Sequence, residues 1–343
     1  MKRVIINLMV FVLMFSISAC TGESKIGENS AENLTFSTAP FDLGNNDTKF
    51  AENISYDEFK ETKFDIFLPN SEPPTGLVIY IHGGGFTSGN KSDFYNTNGN
   101  QKLIKRLLSE NIAFASINYR LLTKNDEDGI LKCLNDSKRA LQYIRYHSDT
   151  FNLKKEDIVL MGGSAGAGTS LWLAVNDDMK DINNFDPVLR ESTRVKGIAL
   201  TGVQATYDFV LWSSVVFDEF DMDIDDLADL SNYSNNKNVY GSISYMDIDS
   251  EEVILYRENV DMLSKLTADD PEIWASSTGA SNGKPQSQSD RNHHGYHVKA
   301  IKKKADEVGI DMICEYGNPL LFQSDNFESK VDFLIRKVTE KSY

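Results

Sequence analysis

Ile158-Val159-Leu160-Met161-Gly162-Gly163-Ser164-Ala165-Gly166 decides the fold. Four consecutive apolar residues read as a buried strand, and the small-residue stretch that follows, ending Leu171-Trp172-Leu173-Ala174-Val175, reads as a helix. Between them, Gly162-x-Ser164-x-Gly166 has the spacing of a strand–turn–helix elbow that lifts a serine hydroxyl above a sheet. So sharp a turn leaves no room for bulk beside the serine, which is why glycines flank it. The helix N-terminus behind the hydroxyl favours negative charge developing there. Such a motif recurs by chance, so it needs company.

The company lies upstream. His82-Gly83-Gly84-Gly85-Phe86 directly follows a second apolar run, Leu77-Val78-Ile79-Tyr80-Ile81. Three glycines after a buried strand leave backbone N–H groups unobstructed, and those of Gly84, Gly85 and Ala165 together make an oxyanion hole. Alone, the glycine run would read as a flexible turn. Both motifs end a strand and stand in the right order, which makes Ser164 the candidate nucleophile.

With Phe114-Ala115-Ser116-Ile117-Asn118-Tyr119-Arg120-Leu121 and the helix Asp136 to Ile144, these motifs resemble the α/β-hydrolase superfamily, in its HGGG-type esterase/lipase (carboxylesterase-like) group. The resemblance covers residues 60–205 and, more loosely, 270–343. It implies a mostly parallel central sheet with helices on both faces. It also implies acyl-ester hydrolysis by a Ser-His-Asp triad. No cofactor and no metal are expected, and the N-terminal secretion signal and tether described below suggest a small-molecule or glycan-linked ester as the substrate.

The remaining pattern fits that architecture. Strands are expected at 61–68, 77–82, 112–119, 157–164, 195–203, 271–277 and 310–316, and helices at 101–109, 130–146, 165–175, 296–308 and 327–341. Residues 206–268 are too long for a connector and read as a cap insertion before the penultimate strand. Its acidic run, 218–226, reads as a solvated helix face, because Asp226 stands where a calcium loop needs glycine.

The N-terminus has a different character. Lys2-Arg3 precede an apolar stretch from Val4 to Phe15, and small residues lead to Cys20. Residues 1–20 read as a signal peptide, too short for a membrane span, and their end resembles the lipobox of a bacterial lipoprotein with Cys20 lipidated. Residues 21–48 read as a flexible tether and 49–343 as the catalytic domain. The expected location is the bacterial cell envelope, in the periplasm or on the outer-membrane surface, with membrane contact only through the lipid anchor. A net charge of −16 argues against a nucleic-acid partner and against anionic membrane surfaces. Cys133 and Cys314 belong to elements expected to lie apart, so they read as buried hydrophobes rather than a disulfide.

The general base is the open question. In the family the histidine follows the last strand, where this chain has Glu315-Tyr316-Gly317-Asn318-Pro319-Leu320-Leu321. Of five histidines, His147 closes a helix on the far edge of the sheet and His82 braces the oxyanion loop. His293, His294 and His297 fall after strand 271–277, at the carboxyl edge where chemistry gathers. His293 or His294 is therefore the candidate base, and Asp290, in the loop where the family places its acid, or Asp208, after strand 195–203, the candidate orienting acid. The absent C-terminal histidine also supports a rival reading, a catalytically degenerate binding protein on the same fold. Against it, an intact elbow and HGGG loop are costly turns to keep without catalysis.

Overall fold

A computed structural model describes residues 29–44, 48–123, 126–229 and 250–341. The expected signal peptide and Cys20 lie outside these residues, as does 230–249 of the expected cap. Among the described residues the strands are β1 (Lys49–Ser55), β2 (Lys63–Leu68), β3 (Thr75–Ile81), β4 (Ala113–Ile117), β5 (Leu153–Gly163), β6 (Gly197–Thr201), β7 (Glu272–Ser277), β8 (Met312–Tyr316) and β9 (Phe322–Gln323). The first helices are α1 (Asn98–Ser109), α2 (Ile130–Tyr146) and α3 (Ala165–Val175). Then come α4 (Trp212–Val215), α5 (Ile224–Asp229), α6 (Glu251–Val260), α7 (Met262–Lys265), α8 (Gln288–Asn292), α9 (Gly295–Val308) and α10 (Lys330–Thr339).

The strands form one sheet in the order β1-β2-β4-β3-β5-β6-β7-β8-β9. The pairs from β4 through β8 are parallel, while β1, β2 and β9 join antiparallel at the edges. This is the α/β-hydrolase fold. Strand order reverses at β3, which pairs β4 on one side and β5 on the other. A crevice opens at the carboxyl ends of strands at such a reversal. The HGGG loop leaves β3 there and the elbow leaves β5.

Period-two alternation along each strand divides the core. Leu77, Ile79 and Ile81 face one layer with Ile158, Leu160, α2 and α3, whereas Val78, Val159 and Met161 face the other with α1 and α10. Every residue of α3 is buried, so it is a central helix and not an amphipathic one. β2 is buried on both faces: Asp65 in its middle is taken up by Lys91 Nζ at 2.9 Å and Tyr95 Oη at 2.6 Å.

One sequence expectation changes here, and one strand is new. Part of the expected tether is docked: the Ser37 N–H donates to the Phe50 carbonyl at 2.8 Å, and the Phe41 ring packs 5.6 Å from Phe67. The β1 strand that receives it has no clean alternation, and the sequence pattern does not predict it. The described parts of 206–268 form short helices between β6 and β7.

Candidate active site

Ser164 sits at the end of β5 with φ of 51°, in the left-handed region, and its N–H donates to the Thr201 carbonyl at 2.9 Å. The glycines around it are demanded by contact. A Cβ on Gly162 would lie 2.2 Å from the Gly166 carbonyl oxygen, and one on Gly166 would lie 2.0 Å from that of Ile81. Gly163 differs: its nearest neighbour would be Tyr80 Oη at 3.7 Å. Tyr207, from the start of the insertion, buttresses the elbow by donating its hydroxyl to the Ala165 carbonyl at 2.6 Å.

The HGGG loop is braced from behind. The His82 ring stacks on Tyr119 with centroids 4.3 Å apart, and its Nδ1 lies 2.7 Å from the Gly83 carbonyl. Tyr119 Oη donates to the His82 carbonyl at 2.9 Å, and the Leu122 N–H donates to that of Phe86 at 2.8 Å. Arg120 forks onto Asp136 of α2 with contacts of 2.6 and 2.8 Å, which ties down the loop carrying Leu122. Gly84, Gly85 and Ala165 line the cleft beside Ser164, and no acceptor of the described residues takes their N–H groups.

His293 is the histidine that meets the serine. Its Nε2 lies 2.8 Å from Ser164 Oγ. Its Nδ1 faces the Ser289 carbonyl oxygen at 3.1 Å, with the Ser289 hydroxyl at 3.5 Å. A carbonyl only accepts, so Nδ1 carries the proton and Nε2 is the free base toward Oγ–H. Burial lowers the His293 pKa below 6.5, opposed by the bond to Ser289. Gly202 makes room for the ring, since a Cβ there would come within 3.3 Å of His293 Cδ2.

The other candidates lie elsewhere. His294 is fully buried with both ring nitrogens committed: Nδ1 accepts from the Tyr296 N–H at 3.2 Å as the N-cap of α9, and Nε2 meets the Gly283 carbonyl at 3.1 Å. Consecutive side chains diverge, so with His293 on Ser164 its neighbour points into the core. His297 is likewise buried, between the Ala205 N–H and the Arg291 carbonyl, and burial lowers its pKa to about 3.

Neither candidate acid reaches the His293 imidazole. Asp290 closes a local turn, where its N–H meets Ser287 Oγ at 3.1 Å and its carboxylate receives the Gln286 N–H at 3.3 Å. Asp208 is buried, caps the 3₁₀ turn at Phe209–Leu211 and pairs with Arg257 Nε at 2.9 Å. Burial raises the Asp208 pKa, against the lowering by Arg257. A backbone carbonyl thus occupies the place expected for a carboxylate.

The pair opens into a cleft of about 490 Å³ walled by Phe86, Leu122, Ile130, Tyr207, Phe209 and Trp212. Tyr207, Phe209 and Trp212 come from the first residues of 206–268, so the insertion forms one wall of the site. Sequence reasoning misses these residues, and it misses Ser289 and Arg291. The local signal is Ser287-x-x-Asp290, a capping pattern that starts α8 and sets where His293 falls.

Sheet order, elbow and serine–histidine pair define a protein of the α/β-hydrolase class, in its esterase group. Residues 64–261, more than half of the chain, match the family model described as BD-FAE, and the chain belongs to that family. It is 28% identical over 142 residues to Esterase B1 of Culex pipiens, a match spanning 38% of this chain and 25% of that protein. It is 25% identical over 158 residues to a probable isoprenylcysteine alpha-carbonyl methylesterase of Arabidopsis thaliana, spanning 46% of this chain and 31% of that one. The chain thus matches less than a third of the length of either relative. Among solved structures, a truncated carbohydrate esterase from gut microbiota superposes with a TM-score of 0.59 at 18% identity, covering 89% of this chain and 98% of that one. Esterase B of Lactobacillus rhamnosis gives 0.52 at 16% identity, covering 80% and 75%. At these identities the structural likeness speaks for the fold.

Proposed function

We propose that the protein is a serine esterase that cleaves carboxylic esters through an acyl-enzyme on Ser164. The observation that carries this reading is the 2.8 Å contact between Ser164 Oγ and a histidine nitrogen whose ring partner is fixed as the proton-bearing one. Ser164 Oγ attacks the ester carbonyl as His293 Nε2 takes its proton. The carbonyl oxygen becomes an oxyanion held by the N–H groups of Gly84, Gly85 and Ala165. The His293 imidazolium then protonates the departing alkoxide, releasing the alcohol. Water attacks the acyl-enzyme, Nε2 again removes and returns the proton, and the acid leaves.

Hydrolysis of short-chain p-nitrophenyl esters, with Ser164→Ala and His293→Ala alongside wild type, tests the scheme. Turnover lost in both variants, and phosphonate labelling of wild type at Ser164, are the expected results. Folded wild-type protein that neither turns over nor takes the label would restore the binding-protein reading. Glycan-linked esters are the natural substrates to try, since one fold neighbour is a carbohydrate esterase. Export and anchoring through Cys20 complete the proposal, and the mass of the mature N-terminus tests them.

A further inference from the structure

Arg291 stands two residues before His293 and takes no part in the scheme above. It lines the cleft with Ser164 and His293, yet it is only 6% exposed. It is the one acidic or basic side chain, His293 apart, on the described cleft wall, and no Asp or Glu lines it. Its Nε donates to Asn292 Oδ1 at 3.1 Å and one Nη1 hydrogen to the Leu227 carbonyl at 2.5 Å. The guanidinium lies 5.5 Å from the Trp212 ring centroid, against the apolar wall. No carboxylate among the described residues pairs with it.

A guanidinium has five N–H donors, and two are engaged here. Burying such a charge without an anion is costly, and a ligand anion in the cleft would offset that cost. Burial is also what lowers the Arg291 pKa, to about 10, with no neighbouring charge acting to restore it. The chain as a whole carries −16, so an isolated buried cation in the cleft runs against its general charge. A purely structural role, holding Asn292 and the Leu227 carbonyl, accounts for two donors, and no acceptor among the described residues takes the other three.

We infer that Arg291 forms a carboxylate subsite, so that the ester processed at Ser164 also bears an acidic group bound by the free edge of the guanidinium. Only the fate of the bound ester rests on the esterase reading; the binding itself does not. The planar fork suits a carboxylate bidentately, which a lysine cannot reproduce.

The test is binding to the full chain carrying Ser164→Ala, which cannot consume the ligand. Calorimetry compares 4-acetoxybenzoate with its methyl ester, placing the charge on the alcohol side, and monomethyl with dimethyl glutarate, placing it on the acyl side. The expected result is tighter binding of the anionic member by about tenfold or more in at least one pair, the range of a charge-assisted hydrogen bond. Arg291→Met in that background should bring the ratio to about one, and Arg291→Lys should restore part of it. The comparison between ligands needs no change at Arg291, so a poorly folding variant does not decide it. If neither anionic ligand binds more tightly than its neutral partner, the subsite is refuted, whatever wild type does with neutral esters. Conversely, wild-type turnover of the neutral esters tests the catalytic reading separately.

Discussion

The backbone carbonyl of Ser289, and no carboxylate, stands 3.1 Å from Nδ1 of His293. The two residues are four apart on the short helix α8 and its C-cap, so the helical turn itself orients the imidazole. Orientation and tautomer are therefore supplied locally. Among the described residues, none supplies a negative charge beside the imidazolium that forms during proton transfer.

Substitutions should separate His293 from its neighbour. His293→Ala should lower kcat by about 10²- to 10⁴-fold, the range for loss of a general base. Combined with Ser164→Ala it should cost little more than either alone, because the two act as a unit. His294→Ala should act on stability, removing the α9 cap at a cost of about 1 kcal/mol or more. Urea titration and steady-state kinetics on the same preparations check this, and a kcat defect in His294→Ala at full folding would contradict the assignment.

Asp290→Asn should leave kcat within about threefold of wild type. In a triad whose acid orients the base, the equivalent change costs about 10⁴-fold. Asp208→Ala should instead destabilise by about 1 kcal/mol or more, since it removes the cap of the 3₁₀ turn and one partner of a largely buried ion pair. A loss of several hundredfold in Asp290→Asn would show that a carboxylate reaches the imidazole during turnover.

The pH profile is set by the His293 environment. The base works when neutral, and burial holds its pKa below 6.5. Activity should thus rise with pH to a plateau, with the midpoint of the acid limb below the ordinary histidine value of 6.5. A kcat/KM profile between about pH 4 and 9 spans that limb. A midpoint at or above about 7 would be incompatible with an uncharged setting at Nδ1.

Three glycines of the elbow should respond unequally. Gly162→Ala and Gly166→Ala drive a Cβ to 2.2 and 2.0 Å from backbone oxygens and should prevent accumulation of folded protein. Gly163→Ala meets nothing closer than 3.7 Å and should fold, with a change in Tm of no more than a few degrees. Soluble yield and thermal melts of the three variants decide it.

The parts of the fold legible in the sequence are those where two periodicities meet a special turn. The elbow and the HGGG loop each combine a buried apolar run with glycines that a close approach requires, so position and purpose are readable together. β1 is not, because its pairing with β2 is interrupted by a register shift between Ala51 and Ile54 and its burial does not alternate. The choice between His293 and His294 turns on one residue of helix phase, set by where Ser287 starts α8 and where α9 begins. Asp290 reads as an acid in the sequence, although its spacing from Ser287 is that of a helix cap. Arg291 gives no signal at all: within a polar loop, nothing local marks a side chain that tertiary packing will bury.

Because the base arrives after β7, the turn joining β8 to β9 has no proton to position. Glu315, near the end of β8, accepts from Ser276 and Gln323, and in the turn Leu320 and Leu321 are more than half exposed at 53% and 52%. In an esterase with its histidine at this edge, a lengthened turn would shift a proton acceptor and silence the enzyme. Here the same edge is released from that duty. Gly317 to Pro319 still bond to Ser277 and Asn282 on the way to His293, so the exposed tip at Leu320 and Leu321 is the natural place to graft a tag or a second domain.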